Sequence, residues 1–481
     1  MAIRHGPVRF AMGDELYEFL QVAIPVLALV AALAVTAHAA LTRPDPRTAL
    51  GWIGLAWLSP LVGAALYLML GVNLIARRRR THRAEMVLDE QTDCCVEPET
   101  LLEKADVPSH LESLARATEV IGRRPLVPGC RVALLDDGDE VYPAMLEAIA
   151  SASRFIGLMS YIFEAEGPGE QIVDALVAAK ERGVEVRVLV DAAGERYARR
   201  RVTRLLRKRG VKAARFMPAY APWRWPYMNL RNHRKVLVID GVVAFAGGIN
   251  IRPEHIRTAK PHTRDVHARF EGPVVTQLVF AFREDWLFAT GERLAWVPSP
   301  TMVGSVVART IFDGPDEDLD RARSVLLAAI ATARTRIAIT TPYFLPDPTI
   351  AKMLQTAARR GVRVDVVLPS ESNLRLVSWA MEHALSVNPL SDVNLWRTPR
   401  PFDHSKLMVV DDAWSFIGSA NWDPRSLRLN FELNVECYDR ELGKRVAAAI
   451  DERIANAKPH SPVEGWRRVR NALVGLLQPY L

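Results

Sequence analysis

Two long apolar runs open the chain. The first extends from Phe19 to Leu41, with only Gln21, Thr36 and His38 as polar interruptions, and the second covers Ala49–Ile75. Between them lies the polar link Thr42-Arg43-Pro44-Asp45-Pro46-Arg47. Each run exceeds the ~20 residues a helix needs to cross ~30 Å of hydrocarbon. The pattern therefore predicts two spans, residues 19–41 and 49–75, joined as a transmembrane hairpin. A signal sequence fits the first run poorly, because the run is too long, Asp14, Glu15 and Glu18 flank it, and a second run follows directly. Pro25 and Pro60 do not exclude a span, since neighbouring helices satisfy the backbone groups a proline frees. Trp52, Trp57 and Tyr67 suit the membrane–water interface.

Residues 84–130 carry no clear apolar period and contain Pro98, Pro108, Pro125 and Pro128, which predicts a connecting segment with short helices. Beyond them the pattern repeats. A helical stretch near Pro143–Ala152 leads into the strand-like Arg154–Phe163, and a second near Ser324–Ala333 leads into Arg336–Phe344. In each copy another helix follows and ends at a glycine, Gly183 or Gly361, with a strand directly after it (Val184–Val190, Val362–Leu368). Glycine suits the left-handed residue that closes a helix. Alternating strands and helices predict an α/β sandwich with a mixed or mostly parallel sheet. Two copies predict a pseudo-dimer within one chain, with domains at 131–300 and 301–481 after an N-terminal region of residues 1–83.

Charge adds an orientation. The chain has 481 residues, 49% hydrophobic, with 62 Lys+Arg against 55 Asp+Glu and a net charge of +7. That excess is modest for a nucleic-acid binder of this size, but Arg77–Arg80 and Arg83 sit together just after the second apolar run. By the positive-inside rule they place the N-terminus and everything after Arg77 in the cytoplasm. They would also attract anionic headgroups, at about 1 kcal/mol per basic residue. Four cysteines without a C-x-x-C pair indicate neither a disulfide framework nor a zinc site.

The candidate chemistry is duplicated. One copy reads His233-Arg-Lys235, then Asp240, Gly247-Gly248-Ile-Asn250. The other reads His404-Ser-Lys406, then Asp411, Gly418-Ser419-Ala-Asn421, with identical offsets. A lone H-x-K-x4-D arises by chance in roughly a few per cent of chains this long, but two extended copies do not. Strand positions two apart face one way, so each histidine and lysine point together. Two imidazoles and two ammonium groups around one point suit a phosphate. The cations and the amides of Asn250 and Asn421 hold its oxygens, while one imidazole attacks and the other protonates the leaving group. Asp240 and Asp411 complete the catalytic motifs, although closing a strand suits pinning the framework better than touching substrate.

These motifs are those of the phospholipase D superfamily. The runs Asn232–Lys235, Gly247–Asn250, Ser419–Ser426 and Leu429–Leu433 resemble its bacterial cardiolipin synthase branch, as do the two N-terminal spans. The resemblance implies two phospholipase D-like α/β sandwich repeats behind a two-helix membrane hairpin. It implies a covalent phosphohistidine, with His233 favoured as nucleophile and His404 as acid/base. An acidic residue downstream of each motif is expected to aim a histidine. Asp265, 32 positions after His233, and Glu432, 28 after His404, are the candidates, with Gly248 and Ser419 in support. No metal or cofactor is implied, since lysines supply the positive charge. The implied reaction joins two phosphatidylglycerols into cardiolipin and glycerol on the cytoplasmic side of a bacterial inner membrane, without nucleic acid as partner. Hydrolysis, or transfer with another lipid donor or alcohol acceptor, uses the same chemistry. A nuclease is disfavoured by the spans, and a non-catalytic scaffold by the completeness of both motifs.

Three weaker features stand outside this scheme. Pro222–Met228, with Trp223–Tyr227 at its centre, fits an interfacial lip and a packed loop equally. Arg199–Arg209 reads as a solvated basic face, and Trp466–Leu481 as a packed helix.

Overall fold

The computed structural model describes residues 11–43, 46–71, 98–218, 230–294, 301–315, 319–388 and 390–476. The arginine cluster Arg77–Arg80 with Arg83, the Pro222–Met228 run and the Cys94-Cys95 pair lie outside the described residues. The chain divides into two compact units, an apolar N-terminal one and a larger one that holds the repeats.

In the N-terminal unit a helix runs over Ala11–Thr42, and its stretch Phe19–Thr42 has a mean hydropathy of 2.4 over its best window. At 24 residues it is about 36 Å long, enough to cross a bilayer. The second apolar run differs from a single straight span. It forms helices Pro46–Leu58 and Pro60–Leu66 and a π-turn at Tyr67–Gly71. Pro60 has no N–H to continue the first helix and its ring disfavours helical geometry at Ser59, which takes φ −145°. The bend is sharp enough that a Cβ on Gly63 would lie 2.6 Å from the Leu55 carbonyl oxygen. Ala32, Val35, Ala39 and Ala56 are buried, and such small side chains let helix backbones approach. His38 Nδ1 lies 2.7 Å from the Tyr67 hydroxyl, and Trp57 Nε1 donates to Thr36 Oγ1 at 3.1 Å. Trp52 and Tyr67 are thus packed inside this unit rather than presented outward, while Trp57 is half exposed.

In the larger unit the first repeat forms β1 (Val127–Asp136), β2 (Phe155–Ser160), β3 (Glu185–Asp191) and β4 (Lys212–Phe216). It continues with β5 (Val236–Ile239), β6 (Val243–Gly247), β7 (Thr263–Arg264) and β8 (Val266–Glu271). The second repeat forms β9 (Val306–Asp313), β10 (Arg336–Thr340), β11 (Arg363–Pro369) and β12 (Asn394–Thr398). It ends with β13 (Phe402–Asp403), β14 (Leu407–Val410), β15 (Trp414–Gly418), β16 (Glu432–Tyr438) and β17 (Lys458–Pro459).

One sheet of fifteen strands crosses both repeats in the order β17-β12-β11-β10-β14-β15-β16-β9-β1-β8-β6-β5-β2-β3-β4. Read outward from the antiparallel β1–β9 junction, the two halves have the same order, apart from β17 at the outer edge of the second, which is the expected pseudo-dimer. The sheet is mixed, with parallel pairing confined to β2–β3–β4 and β10–β11–β12. Those outer strands carry the βαβ crossovers, which put a helix between parallel neighbours. Each half has its own apolar core under the sheet. Helix Val274–Thr290, buried along most of its length, packs along the strands of the first half from β8 to β4 and against β9.

The stretch from Pro98 does more than connect. Leu101, Leu102, Leu111 and Leu114 belong to the core of the second half, and His110 Nε2 lies 2.7 Å from Asp411 Oδ2. The basic stretch forms a short helix, Val202–Lys208, anchored by buried Val202 and Leu206. The helix Trp466–Gly475 packs on helix Arg375–Val387, with the Arg470 guanidinium 4.0 Å above the Trp379 ring.

Candidate active site

His233 and His404 stand at the entries to β5 and β14, the equivalent central strands. The segment before each histidine pairs with the other half. Asn232 bridges Phe431 in parallel fashion, with His233 N–H donating to the Phe431 carbonyl at 2.9 Å. Likewise β13 pairs with β7, and His404 N–H donates to the Arg264 carbonyl at 2.7 Å. This exchange places each histidine against the strand that follows the other motif.

The orienting carboxylates are consequently crossed. Nδ1 of His233 lies 3.0 Å from both oxygens of Glu432, and Nδ1 of His404 lies 2.7 Å from Asp265 Oδ2. A carboxylate only accepts, so each Nδ1 carries the proton and each neutral imidazole keeps a lone pair on Nε2. Both carboxylates are wholly buried. Glu432 also receives the Ser419 hydroxyl at 2.5 Å and Asn430 Nδ2 at 3.1 Å. Among the described residues no hydroxyl donates to Asp265, which accepts from Val266 N–H at 2.8 Å. Gly248 occupies the position equivalent to Ser419, and a Cβ there would come within 2.2 Å of Asp265 Oδ1.

Lys235 and Lys406 lie behind the histidines, each buried, with Nζ donating to the carbonyl of the histidine in its own motif. Lys406 Nζ also lies 2.8 Å from His404 Nδ1, a contact that is no hydrogen bond in this tautomer because both nitrogens carry protons. Burial pulls the Lys235 ammonium down to about 7 and that of Lys406 to about 8, although Glu432 and Asp265 oppose the fall. Burial also holds His233 below the ordinary histidine value against the pull of Glu432. It holds His404 well below, with Lys406 and Lys235 adding to the effect. Burial raises Asp265. For Glu432, burial is outweighed by His233, Lys235 and the Ser419 hydroxyl, which keep it ionised below its usual range.

Asp240 and Asp411 stand apart from this cluster, at the far ends of β5 and β14, so the structure does not bring them to the histidines. Asp240 accepts from the N–H groups of Ser153, Arg154 and Phe155 and from the Ser153 hydroxyl at 2.7–2.9 Å. Asp411 accepts from Arg334, Thr335 and Arg336 N–H and the Thr335 hydroxyl at 2.8–2.9 Å. Burial works against ionisation of both, but these donors outweigh it and lower both carboxyls. Each fastens the end of a central strand to the helix–strand turn beside it.

Asn250 and Asn421 line a cavity of about 420 Å³ together with His233 and His404. Asn250 Oδ1 accepts from Ile162 N–H at 3.1 Å, and Asn421 Nδ2 donates to Ser426 Oγ at 3.2 Å. A larger cleft of about 780 Å³ near the C-terminal segment is lined by none of these residues. Two imidazoles aimed into one cavity, backed by two buried ammonium groups, can serve a phosphodiester in turn: a neutral one attacks, and the other, once protonated at Nε2, protonates what leaves.

Sequence comparison now decides the family. The pattern described as "Cardiolipin synthase, PLD-like domain" matches residues 145–286 and again 326–454. The chain belongs to the cardiolipin synthase family of phospholipase D-like proteins. The cardiolipin synthase of a Geobacillus species is 31% identical over 428 residues, covering 87% of this chain and 85% of the relative. That of Alkalihalophilus pseudofirmus is 32% identical, covering 82% and 80%. Phosphatidylserine synthase from Haemophilus influenzae shares the fold, with a TM-score of 0.57 at 15% identity, over 76% of this chain and all of that one. As a member of the cardiolipin synthases, the chain is a phosphatidyltransferase.

The cardiolipin synthase cavity also includes side chains that the sequence pattern did not single out: Tyr161, Arg231, His255, Tyr343, Phe402 and Arg425. Tyr161 stands edge-on to His233 at 5.2 Å, and Tyr343 to His404 at 6.3 Å. His255 Nδ1–H donates to the Thr263 carbonyl at 3.1 Å, and burial pushes the imidazole down to about 3. Arg231 was within reach of the alternation rule, since it lies two positions before His233. His255 sits in a loop that carries no periodic signal.

Proposed function

We propose that this chain joins two phosphatidylglycerol molecules into cardiolipin and glycerol, with His233 as nucleophile and His404 as acid/base. The observation that carries the reading is the pair of crossed imidazole–carboxylate contacts converging on one cavity. In the first step His233 Nε2 attacks phosphorus, the bond to the glycerol oxygen breaks, and His404 gives that oxygen a proton. In the second step His404 takes the proton of the incoming hydroxyl, its oxygen bonds to phosphorus, and the phosphorus–nitrogen bond breaks. A phosphorylated imidazole carries positive charge, which the ionised Glu432 stabilises; this favours His233 as the residue that forms the adduct. The arriving phosphate supplies the negative charge that restores a proton to His404. Lys235 and Lys406 balance the equatorial oxygens, and residues 131–300 and 301–481 act as the two catalytic halves.

The same reading seats the N-terminal unit in a bacterial inner membrane as a helical hairpin, with the catalytic halves on the cytoplasmic side. Its support is the apolar helix Phe19–Thr42, the apolar bent segment after it, and the arginines at Arg77–Arg80 and Arg83.

Two experiments test these statements. Purified protein in liposomes with labelled phosphatidylglycerol yields cardiolipin and free glycerol in equal amounts; phosphatidic acid as sole product overturns the transfer reading. For topology, a Cys94→Ser, Cys95→Ser background carrying Thr42→Cys is labelled by an impermeant maleimide in intact spheroplasts, whereas Lys458→Cys is labelled only after lysis. The reverse pattern overturns the orientation.

A further inference from the structure

Helix Trp466–Gly475 buries an asparagine and leaves its large apolar side chains in solvent, the reverse of an ordinary surface helix. Asn471 is buried, the Arg470 guanidinium covers the Trp379 ring, and Val474 packs against the core of the second half. A Cβ on Gly475 would lie 2.1 Å from the His383 ring, so the contact with helix Arg375–Val387 is close.

On the other side, Trp466, Val469, Leu473 and Leu476 are 72%, 56%, 62% and 75% exposed. Leu476, the cap residue, keeps helical φ and ψ. At 3.6 residues per turn the four fall within about 80° of one another, opposite Asn471. Arg470 borders this stripe on one side, and Arg468 lies beyond Ala472 on the other. The helix contains Arg467, Arg468 and Arg470 but no acidic residue; Glu464 precedes it. Among the described residues no carboxylate pairs with these three arginines.

We propose that helix Trp466–Gly475 lies in the surface of an anionic bilayer, with its apolar stripe among the upper acyl chains and its arginines at the lipid phosphates. The inference rests on the membrane seating proposed above. An exposed apolar stripe rimmed by charge marks a contact with protein or lipid, and the charge selects lipid. A second copy meeting the same stripe across a two-fold axis would set arginine against arginine, whereas anionic headgroups neutralise all three. Tryptophan at one end of the stripe suits the interfacial zone. The docking also bears on the site. Helix Arg375–Val387, on which this one packs, begins at the cavity, where Leu374 and Val377 are part of the lining and Leu374 and Leu376 are about half exposed. Seating one helix in the interface therefore holds the cavity wall beside the lipids it draws on.

The test uses the full chain with Cys94→Ser, Cys95→Ser and Leu473→Cys, labelled with a nitrobenzoxadiazole dye; Cys130 and Cys437 are buried. It is reconstituted into phosphatidylcholine vesicles that carry phosphatidylserine. Doxyl-labelled lipid is expected to quench the dye. Adding Arg467→Gln and Arg468→Gln should lower the docked-to-free ratio read from quenching by about thirtyfold, the worth of two basic residues at an anionic surface. Leu473→Asp, without dye, should slow turnover of vesicle phosphatidylglycerol severalfold and leave turnover of a monomeric short-chain phosphatidylglycerol unchanged. Absence of doxyl quenching, or quenching indifferent to the two arginines, overturns the docking. A dye shielded from iodide in detergent and in vesicles, yet not quenched by doxyl lipid, means that a second copy covers the stripe and overturns it too. A chain that does not float with vesicles overturns the membrane seating instead.

Discussion

His233 and Glu432 meet across the junction of the two repeats, with Nδ1 3.0 Å from each carboxylate oxygen although 199 residues separate them. His404 and Asp265 repeat the relationship in the opposite sense at 2.7 Å. Neither half therefore contains a complete imidazole–carboxylate pair, and the site exists only when both halves are docked.

The crossed arrangement makes Glu432 the positioning residue for the first half's histidine and Asp265 for the second's. Glu432→Gln and Asp265→Asn are each expected to lower kcat by about a hundredfold or more, as loss of an orienting carboxylate does elsewhere. A donor whose leaving group is p-nitrophenol, which needs no proton, separates the two. Asp265→Asn should then release nitrophenol in a rapid burst and accumulate acid-labile phosphohistidine. Glu432→Gln should show neither, because its defect lies in the attacking imidazole. The opposite assignment would transfer the nucleophile's role to His404.

Much of this site was legible in the sequence because the chemistry is duplicated. His233, Lys235, His404 and Lys406 share offsets, and strand alternation alone makes each pair point together. The same rule extended two positions back reaches Arg231 and Phe402. What the sequence pattern does not show is the crossing: distance along the chain links Asp265 with His233, whereas strand exchange at β7–β13 and at Asn232–Phe431 links it with His404. The bend at Gly63 was hidden for a different reason. Hydropathy averages over Ser59-Pro60 and reads one apolar run, while a missing N–H and a backbone contact too close for any Cβ at Gly63 divide it. The short helices expected between residues 84 and 130 are present at Pro98–Lys104 and Glu112–Gly122, but their place in the core of the second half was hidden, because prolines punctuate an apolar face too short for a clear period.

The motif aspartates are expected to behave as structural fasteners. Asp411→Ala leaves the N–H groups of Arg334, Thr335 and Arg336 without their acceptor and releases His110. The cost is at least about 1.5–3 kcal/mol, the range for a single hydrogen bond to a charged group. Thermal melting of the purified variant should shift downward, while kcat per folded molecule stays near wild type. His110→Ala should lower the melting temperature by a smaller amount, since four of the donors to Asp411 remain.

Activity should fall on both sides of neutrality for separable reasons. The attacking imidazole must be neutral, and burial holds His233 below the ordinary value, so the acid limb of kcat/KM lies below pH 6.5. The lysines must be charged to hold phosphate oxygens. With values of about 7 and 8 they lose that charge as pH rises, which adds a loss between about pH 7 and 8 to the one set by deprotonation of the general acid His404. Lys235→Arg keeps its charge at all these pH values and is expected to flatten the alkaline limb, even where kcat itself drops.

The Gly248–Asp265 and Ser419–Glu432 pairs are matched sets. A glycine leaves room for the shorter carboxylate, and a serine supplies a hydroxyl to the longer one. Gly248→Ser places a Cβ within 2.2 Å of Asp265 Oδ1, so the carboxylate must swing away from His404. Ser419→Gly removes one donor from Glu432 but leaves Asn430 and both contacts to His233. The first change is therefore expected to cost far more activity than the second. Gly248→Ser should behave like Asp265→Asn in the nitrophenol burst, accumulating the adduct, whereas Ser419→Gly should slow adduct formation by about tenfold, the loss of one charge-assisted hydrogen bond. Equal effects of the two substitutions on both steps would mean that these small residues serve backbone packing rather than the carboxylates.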